Sequence, residues 1–404
     1  MKLALIGFGQ AGGKIVDRFV EYEQRTGVDV FTDPVAVNTA SVDLQGLERV
    51  PEANRVLIGQ SRVKGHGVGA DNELGAEIAE ADIDEIQHAL DDIPVHEVDA
   101  FLVVAGLGGG TGSGGAPVLA KHLKHIYTEP VYGLGILPGQ DEGGIYTLNA
   151  ARSFQTFVRE VDNLLVFDND AWRTTGESMR DGFEAINEEI ATRFGMLFAA
   201  GEVDGNAAVA ESVVDSSEII NTLSGGGVST VGYAAEDVER SSDRGLLSRV
   251  SGSGGSGNGG NRGSGSGDAG LDSANTTNRI TSLVRKAALG RLTLPCDVQG
   301  AEKSLVVVGG PPEHLDRKGI ERGRQWLEEE TGSMEVRGGD YPLPSSGTVA
   351  SLVLLSGVHH VPRFKELQQV AIEAQDNIAQ RDARREDNLQ KLVHDGAEEL
   401  TSLF

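Results

Sequence analysis

The chain has 404 residues, 39% of them hydrophobic, enough for two or three domains whose cores aliphatic side chains must fill, because aromatics are only 5%. With 61 acidic against 35 basic residues the formal net charge is −26, a surface that repels nucleic acid and anionic membranes and, with the excess spread along the chain, points to a high-salt cytoplasm. The single cysteine, Cys296, excludes an intrachain disulfide and a cysteine metal cluster; the start Met1-Lys2-Leu3-Ala4-Leu5-Ile6, turning to glycine at once, is not expected to be a secretory leader, and no apolar run approaches the ~20 residues of a membrane helix.

The first half alternates the two periodicities of an α/β protein. Residues 3–6 read as a strand and 11–24 as a helix with Ile15, Phe19 and Val20 as its apolar positions. Residues 35–37 form a short strand, 73–90 a helix and 100–105 an apolar strand, after which a helix runs from Pro117. Segments 131–137, 145–159, 164–167 and 179–198 continue the alternation. This succession predicts a parallel sheet with helices on both faces, whose ligands bind at the carboxyl ends of the strands. In the second half 216–223 is helical and 228–234 extended. Residues 251–270 then hold ten glycines in twenty positions, mostly with Ser and Asn between them. Such a run buries no core and is expected to be a flexible loop. A helix over 278–289, a strand over 304–308, a helix over 319–329 and a strand over 349–355 complete a small α+β unit that begins before the run. The loop therefore belongs inside a second domain. Residues 364–392 form a charged helical tail, expected to present a solvated face.

Loops after strands carry the chemistry. The richest is Gly106-Leu107-Gly108-Gly109-Gly110-Thr111-Gly112-Ser113-Gly114-Gly115, between a buried strand and a helix. Glycines let backbone N–H groups close around an anion, and a helix N-terminus adds its positive end, as a di- or triphosphate requires. A flexible connector is the bland alternative, and it fits poorly between a buried strand and an immediate helix. The first strand ends in Gly7-Phe8-Gly9-Gln10-Ala11-Gly12-Gly13-Lys14, which contains G-x-G-x-x-G. A nicotinamide-dependent oxidoreductase built on it wants an acid after the second strand, where this chain has Asn38-Thr39. A Walker A loop is excluded, because Phe8 stands where its first glycine belongs and Ile15 follows Lys14. A third loop, Gly65-His66-Gly67-Val68-Gly69-Ala70-Asp71-Asn72, adds to the pattern of one nucleotide gripped from several sides.

Gly108-Gly109-Gly110-Thr111-Gly112-Ser113-Gly114 resembles the signature of the FtsZ/tubulin superfamily in its tubulin spelling with serine, and the order of loops is similar over residues 1–360. The resemblance implies a tubulin/FtsZ-like α/β GTPase domain joined to a smaller α+β domain, a GTPase that binds GTP and GDP, and head-to-tail filaments. Mg²⁺ would come with the nucleotide phosphates, with no protein metal site assigned. On this resemblance Gln10, Ala11, Gly12 and Gly13, with Lys14, match the first phosphate loop and Asn38 the second. Gly69, Ala70 and Asp71 fall in the third, with Asp71 near Mg²⁺ through water, and Gly109, Gly110, Thr111, Gly112, Ser113 and Gly114 are the phosphate-cradling centre. Glu142 matches the carboxylate that accepts from ribose hydroxyls; on its residues alone it is a helix-start acid. Asn169 matches an asparagine beside the base and alone reads as a turn residue. Phe183 and Asn187, four apart on one helix face, match a ring that stacks on guanine and an amide that pairs with its edge. Asp215-Ser216-Ser217-Glu218 is, by its residues alone, nearly a capping box ahead of Ile219-Ile220. The resemblance makes Asp215 and Glu218 a synergy loop that touches the nucleotide of the next subunit. Two carboxylates at a helix N-terminus are expected to stay ionised there and to polarise the attacking water.

The same resemblance divides the chain into a GTP-binding domain 1–178, a core connecting helix 179–199, an activation domain 200–361 containing loop 251–270, and a helical tail 362–404. Bacterial FtsZ carries an arginine shortly after the ribose glutamate. Gly143-Gly144-Ile145-Tyr146 has none, so hydrolysis is expected to be slow. The tail is helical where bacterial FtsZ has a disordered linker, although Leu400-Thr401-Ser402-Leu403-Phe404 reads as a small apolar docking end for envelope or adaptor proteins. With the acidic composition, these features are similar to the haloarchaeal CetZ group, which implies cell-shape control at the inner face of the envelope ahead of a division-ring role. Run 251–270 stands where tubulin has its lateral-contact loop; ordering on lateral pairing and a tolerated insertion both stay open. A GTP-sensing scaffold that does not hydrolyse is the second functional class.

Overall fold

Several strands of this chain are apolar at every position, which requires cover on both faces of the sheet. A computed structural model, describing residues 1–173, 179–202, 213–238 and 266–394, has that form. The strands are β1 (Leu3–Phe8), β2 (Phe31–Asn38), β3 (Arg55–Leu57), β4 (Ala100–Gly106), β5 (Val131–Leu137), β6 (Asn163–Asp168), β7 (Val228–Asp237), β8 (Lys303–Gly310), β9 (Glu335–Pro342) and β10 (Thr348–Ser356). They join one sheet in the order β3-β2-β1-β4-β5-β6-β7-β10-β8-β9. Strands β1 to β6 pair in parallel. β10 runs antiparallel between β7 and β8, and β9 pairs in parallel at the edge.

The longer helices are α1 (Gly9–Thr26), α2 (Asn72–Ala81), α3 (Ile83–Leu90), α4 (Thr111–Ile126), α5 (Gly144–Glu160), α6 (Met179–Ala200), α7 (Ser216–Leu223), α8 (Ser266–Leu289), α9 (Arg317–Thr331) and α10 (Pro362–His394). Alternation along the strands feeds two cores. Leu3 and Leu5 of β1 and Leu102 and Val104 of β4 pack with α1, α6 and α7. Ala4, Ile6 and Phe8 of β1 and Phe101 and Val103 of β4 pack with α2, α4 and α5 on the other face, and α8 and α9 continue that layer. The central helix α6 buries Ile186, Ile190, Phe194 and Leu197. Among the described residues no helix is long and apolar enough to cross a membrane.

Several expectations are corrected. The helix expected over 73–90 is two, α2 and α3, separated at Asp82, whose carboxylate turns aside to accept from the Gly59 N–H at 2.6 Å. Helix α4 begins at Thr111, well before Pro117, because its glycines press against neighbouring backbone. β3 and β9 were not expected: β3 has three residues, and β9 carries Gly338, Gly339 and a terminal proline, weak strand signals tolerated at a sheet edge. Helix α8 starts at Ser266, inside the run expected to be a loop, where Ala269, Leu271 and Ala274 restore helical propensity. Positions 251–265 of that run, and Leu400 to Phe404, lie outside the described residues. The tail helix presents the expected solvated face over most of its length, and its first turns are docked on α5. Phe364 of α10 packs on Phe154 of α5 with ring centroids 4.2 Å apart, and Ala371 is buried against Leu148 and Ala151.

Candidate functional site

The chain runs outward from β1 to β2 and β3, then crosses back to β4 on the other side of β1. The β1 and β4 connections therefore diverge, leaving a crevice at the strands' carboxyl ends, where open α/β sheets hold ligands. A cleft of about 400 Å³ lies there. Helices α1 and α4 both start on it. Neither has a side-chain cap or an acid in its first turn, so their first N–H groups and positive ends are left to an anion. Gly9 makes the junction possible: its φ is +75°, and a Cβ there would sit 2.7 Å from the Gly112 nitrogen.

Most residues singled out by sequence meet at this cleft. Gln10, Ala11, Lys14, Asn38, Gly69, Ala70, Gly109, Gly110, Thr111, Gly112, Glu142, Asn169, Phe183 and Asn187 all line it. Glu142 sits in a 3₁₀ turn and accepts from the Gly139 N–H at 2.8 Å. Asn169 opens a short turn after β6 and is 6% exposed; its Oδ1 is buried with no hydrogen-bond partner. A buried acceptor without a donor is costly, and a ligand N–H in the cleft would satisfy it. Phe183 and Asn187 are half-buried on one face of α6, and the Arg173 guanidinium stands 5.9 Å from the Phe183 ring centroid.

Gly12, Gly13, Asp71, Ser113 and Gly114 are not among the lining residues. Gly12 and Gly114 are packing positions, where a Cβ would meet the Val104 carbonyl oxygen at 2.2 Å and the Asn72 carbonyl oxygen at 2.1 Å. Gly13 lies against Leu47. The Ser113 hydroxyl donates to the Gly109 carbonyl. Asp71 caps α2, accepting from the Leu74 N–H at 3.0 Å.

Among the residues that shape the cleft and were missed, Asp43 and Asn149 have clear roles. Asp43 lines the cleft and accepts from Gln10 Nε2 at 3.1 Å and Asn38 Nδ2 at 3.3 Å, so it sets both amides. In sequence it looks like any acid in a first helical turn. Asn149, 2% exposed on α5, donates through Nδ2 to the Ala70 carbonyl at 2.7 Å and the Gly108 carbonyl at 3.1 Å, joining the third loop to the glycine run 106–115. An asparagine inside a helix gives no such signal.

Asp215 and Glu218 lie elsewhere. They do not line the cleft; they form the N-terminus of α7, which packs on β8 and the end of α6. Asp215 is the N-cap and accepts from the Glu218 N–H at 2.9 Å and from the Ser217 hydroxyl at 2.6 Å. The two carboxylates sit in different surroundings. The Ser217 hydrogen bond, with backbone N–H groups, holds Asp215 below the usual carboxylate range. Burial, then the neighbouring Asp215 charge, pushes Glu218 above it, with Arg337 and Arg324 pulling the other way. Burial pushes the Cys296 thiol up to about 12, which disfavours the thiolate form.

A model of the tubulin/FtsZ family GTPase domain matches residues 2–176, and a model of the tubulin-like CetZ C-terminal domain matches residues 176–373. The tubulin-like protein CetZ1 of Haloferax volcanii is 73% identical over 380 residues, covering 94% of this chain and 93% of that protein. The solved GDP-bound CetZ1 monomer from Haloferax volcanii is similar with a TM-score of 0.80 at 68% identity, over 93% of this chain and 100% of that one. The GTPγS-bound protofilament of CetZ2 from Haloferax volcanii follows with a TM-score of 0.79 at 46% identity, over 94% of this chain and 100% of that one.

Proposed function

Because the chain belongs to the tubulin/FtsZ family, and within it to the tubulin-like CetZ proteins, we propose that it binds GTP in the cleft between β1 and β4. It assembles head to tail, and hydrolyses the nucleotide where Asp215 and Glu218 of one subunit meet the cleft of the next. One observation carries this reading: the carboxylate pair lies outside the phosphate-binding cleft of its own chain. A lone copy then binds nucleotide without the groups that activate water. The relatives described as a GDP-bound monomer and a GTPγS-bound protofilament support nucleotide-linked assembly.

The backbone around Gly9 to Ala11 and Gly109 to Gly112 takes the phosphates, Glu142 the ribose, and Asn169, Phe183 and Asn187 the guanine. The free Oδ1 of Asn169 suits a base N–H. When bound, Mg²⁺ offsets phosphate charge. No cluster of three or more Asp, Glu, His or Cys ligands exists among the described residues, so it would be held by phosphates and water, with Asp43 and Glu142 the acids that line the cleft. Asp215 and Glu218 orient and deprotonate the attacking water. By the same reading residues 1–178 are the nucleotide domain, 179–199 the connecting helix, 200–361 the activation domain, and 362–404 a tail for adaptors at the cytoplasmic face of the envelope.

The test is Glu218→Ala in molar potassium chloride. GTP binding is retained, turnover per subunit falls roughly 100-fold, the scale of a lost general base, and pelleted filaments last longer. Wild-type turnover in that variant would refute the assignment. A tagged copy along the lateral envelope supports shape control; one confined to midcell supports a division role.

A further inference from the structure

Phosphoryl transfer builds negative charge on the equatorial oxygens, and a cation there is worth several orders of magnitude in rate. The loop that carries Glu142 offers none, since Gly143-Gly144-Ile145-Tyr146 follows it. Beside the carboxylate pair there is one. β9 places Val336 in the core shared with α8 and α9, and Tyr341 in the opposite core with Ile219 and Leu223 of α7. Alternation therefore directs Arg337 to the α7 face. Register agrees: Arg337 pairs with Leu305 of β8, which belongs to the α7-side core. The segment entering α7 is bridged to the same strand, Val213 to Asp340, with the Val214 N–H donating to the Asp340 carbonyl at 3.3 Å. Arg337 is half-buried, and among the described residues its side chain is engaged in no hydrogen bond or ion pair. Its charge nonetheless reaches both Asp215 and Glu218. Arg324 differs, being committed to the Val336 carbonyl at 2.9 Å.

We infer that Arg337 is the catalytic cation of GTP hydrolysis, entering the next subunit's cleft beside Asp215 and Glu218 to contact the γ-phosphate. This rests on the head-to-tail reading above. Water forms the new bond to the γ-phosphorus. The bond to the bridging oxygen breaks, its electron pair leaves on GDP, and the proton lost by water passes to Glu218. Arg337 spreads the charge on the three oxygens in between.

Full-length Arg337→Ala and Arg337→Lys are compared with wild type in molar potassium chloride, with Glu218→Ala alongside. The readouts are GTP affinity of the monomer, melting temperature, critical concentration by pelleting, and turnover per polymerised subunit. Arg337→Ala is expected to keep GTP affinity and melting temperature while turnover per polymerised subunit falls at least about 100-fold, and Arg337→Lys recovers part of it. A raised critical concentration with normal turnover per polymerised subunit makes Arg337 an interface residue and overturns the inference. If Glu218→Ala loses turnover and Arg337→Ala keeps it, this inference alone fails; if both keep it, the head-to-tail reading fails. Should Arg337→Ala not pellet alone, co-assembly with wild type decides. Turnover per polymerised subunit falls in proportion to the variant fraction, and a constant value overturns the inference.

Discussion

Asp168 and Arg363 show what a single buried pair does to this molecule. Arg363, 7% exposed in the first turn of α10, donates to the Pro138 carbonyl at 2.9 Å and pairs with Asp168 at 3.3 Å. It thereby clamps the ends of β5 and β6, whose loops carry Glu142 and Asn169. Burial outweighs this pairing: it pushes Asp168 up to about 6 from an ordinary 3.8. An acid raised on folding adds stability that is complete below its unfolded value and is lost as pH climbs through the folded one. The window is therefore pH 4 to 6, and the loss is about 3 kcal/mol. Asp168→Asn should cost stability most at pH 4, where it replaces a neutral acid, and less toward pH 7, where it also removes the cost of ionising Asp168; Arg363 keeps Glu366 at 3.3 Å and the Pro138 carbonyl. The variant's unfolding midpoint should therefore stay flatter than wild type between pH 4 and 7. Parallel pH profiles from denaturant titration would contradict the shift. Neither residue was legible in sequence. Asp168 read as the end of an apolar strand and Arg363 as one charge of a charged tail; only a contact across 195 positions of chain gives them a role.

Helix α4 shows why a glycine-rich motif was recognised while its secondary structure was misread. Glycine argues against helix, so the run 106–115 looked like loop as far as Pro117. Tertiary packing overrides that preference, since only glycine at 114 lets α4 lie against the backbone of α2. Pro117 then sits inside the helix and cannot donate to the Ser113 carbonyl four residues back. Ser153 of α5 replaces that donor, its hydroxyl reaching the Ser113 carbonyl at 2.7 Å in a buried position. Ser153→Ala leaves the carbonyl unsatisfied and should cost about 1–2 kcal/mol. The loss is expected in chemical denaturation, with GTP affinity reduced as well because Ser113 belongs to the phosphate-loop helix. Ser153→Thr, which keeps the donor, should be milder; equal losses from both would point to side-chain volume. Strands β1, β4, β5 and β6 were legible because burial on both faces makes their central positions apolar, with Asn163 and Asp168 only at the two ends of β6. β3 and β9 were not, since at three residues or with paired glycines the pattern is too short or too weak.

At the scale of the molecule, sequence alternation predicts a parallel sheet from five of the first six strands, β3 excepted, but nothing in it showed that the second unit would extend the same sheet. The join is thin: β6 and β7 pair only at Leu164 with Val228 and Leu165 with Ser229. Continuity comes instead from α6, whose apolar residues share a core with Leu3 of β1, Leu305 of β8 and Leu352 of β10. The other global property, a charge of −26, bears on assembly more than on fold. Each subunit added to a filament brings like charge against like charge, and this repulsion acts over a Debye length of about 10 Å at 0.1 M salt and about 3 Å at 1 M. Exposed ion pairs such as Arg62 with Glu77 add little that would oppose it. Raising potassium chloride from 0.1 to 1 M should therefore lower the critical concentration for GTP-driven pelleting, by roughly tenfold if screening removes about 1.4 kcal/mol of repulsion per seam. Charge-neutral crowding agents should not substitute for the salt. A critical concentration that rises with salt would mean instead that opposite charges meet at the seam and hold it together.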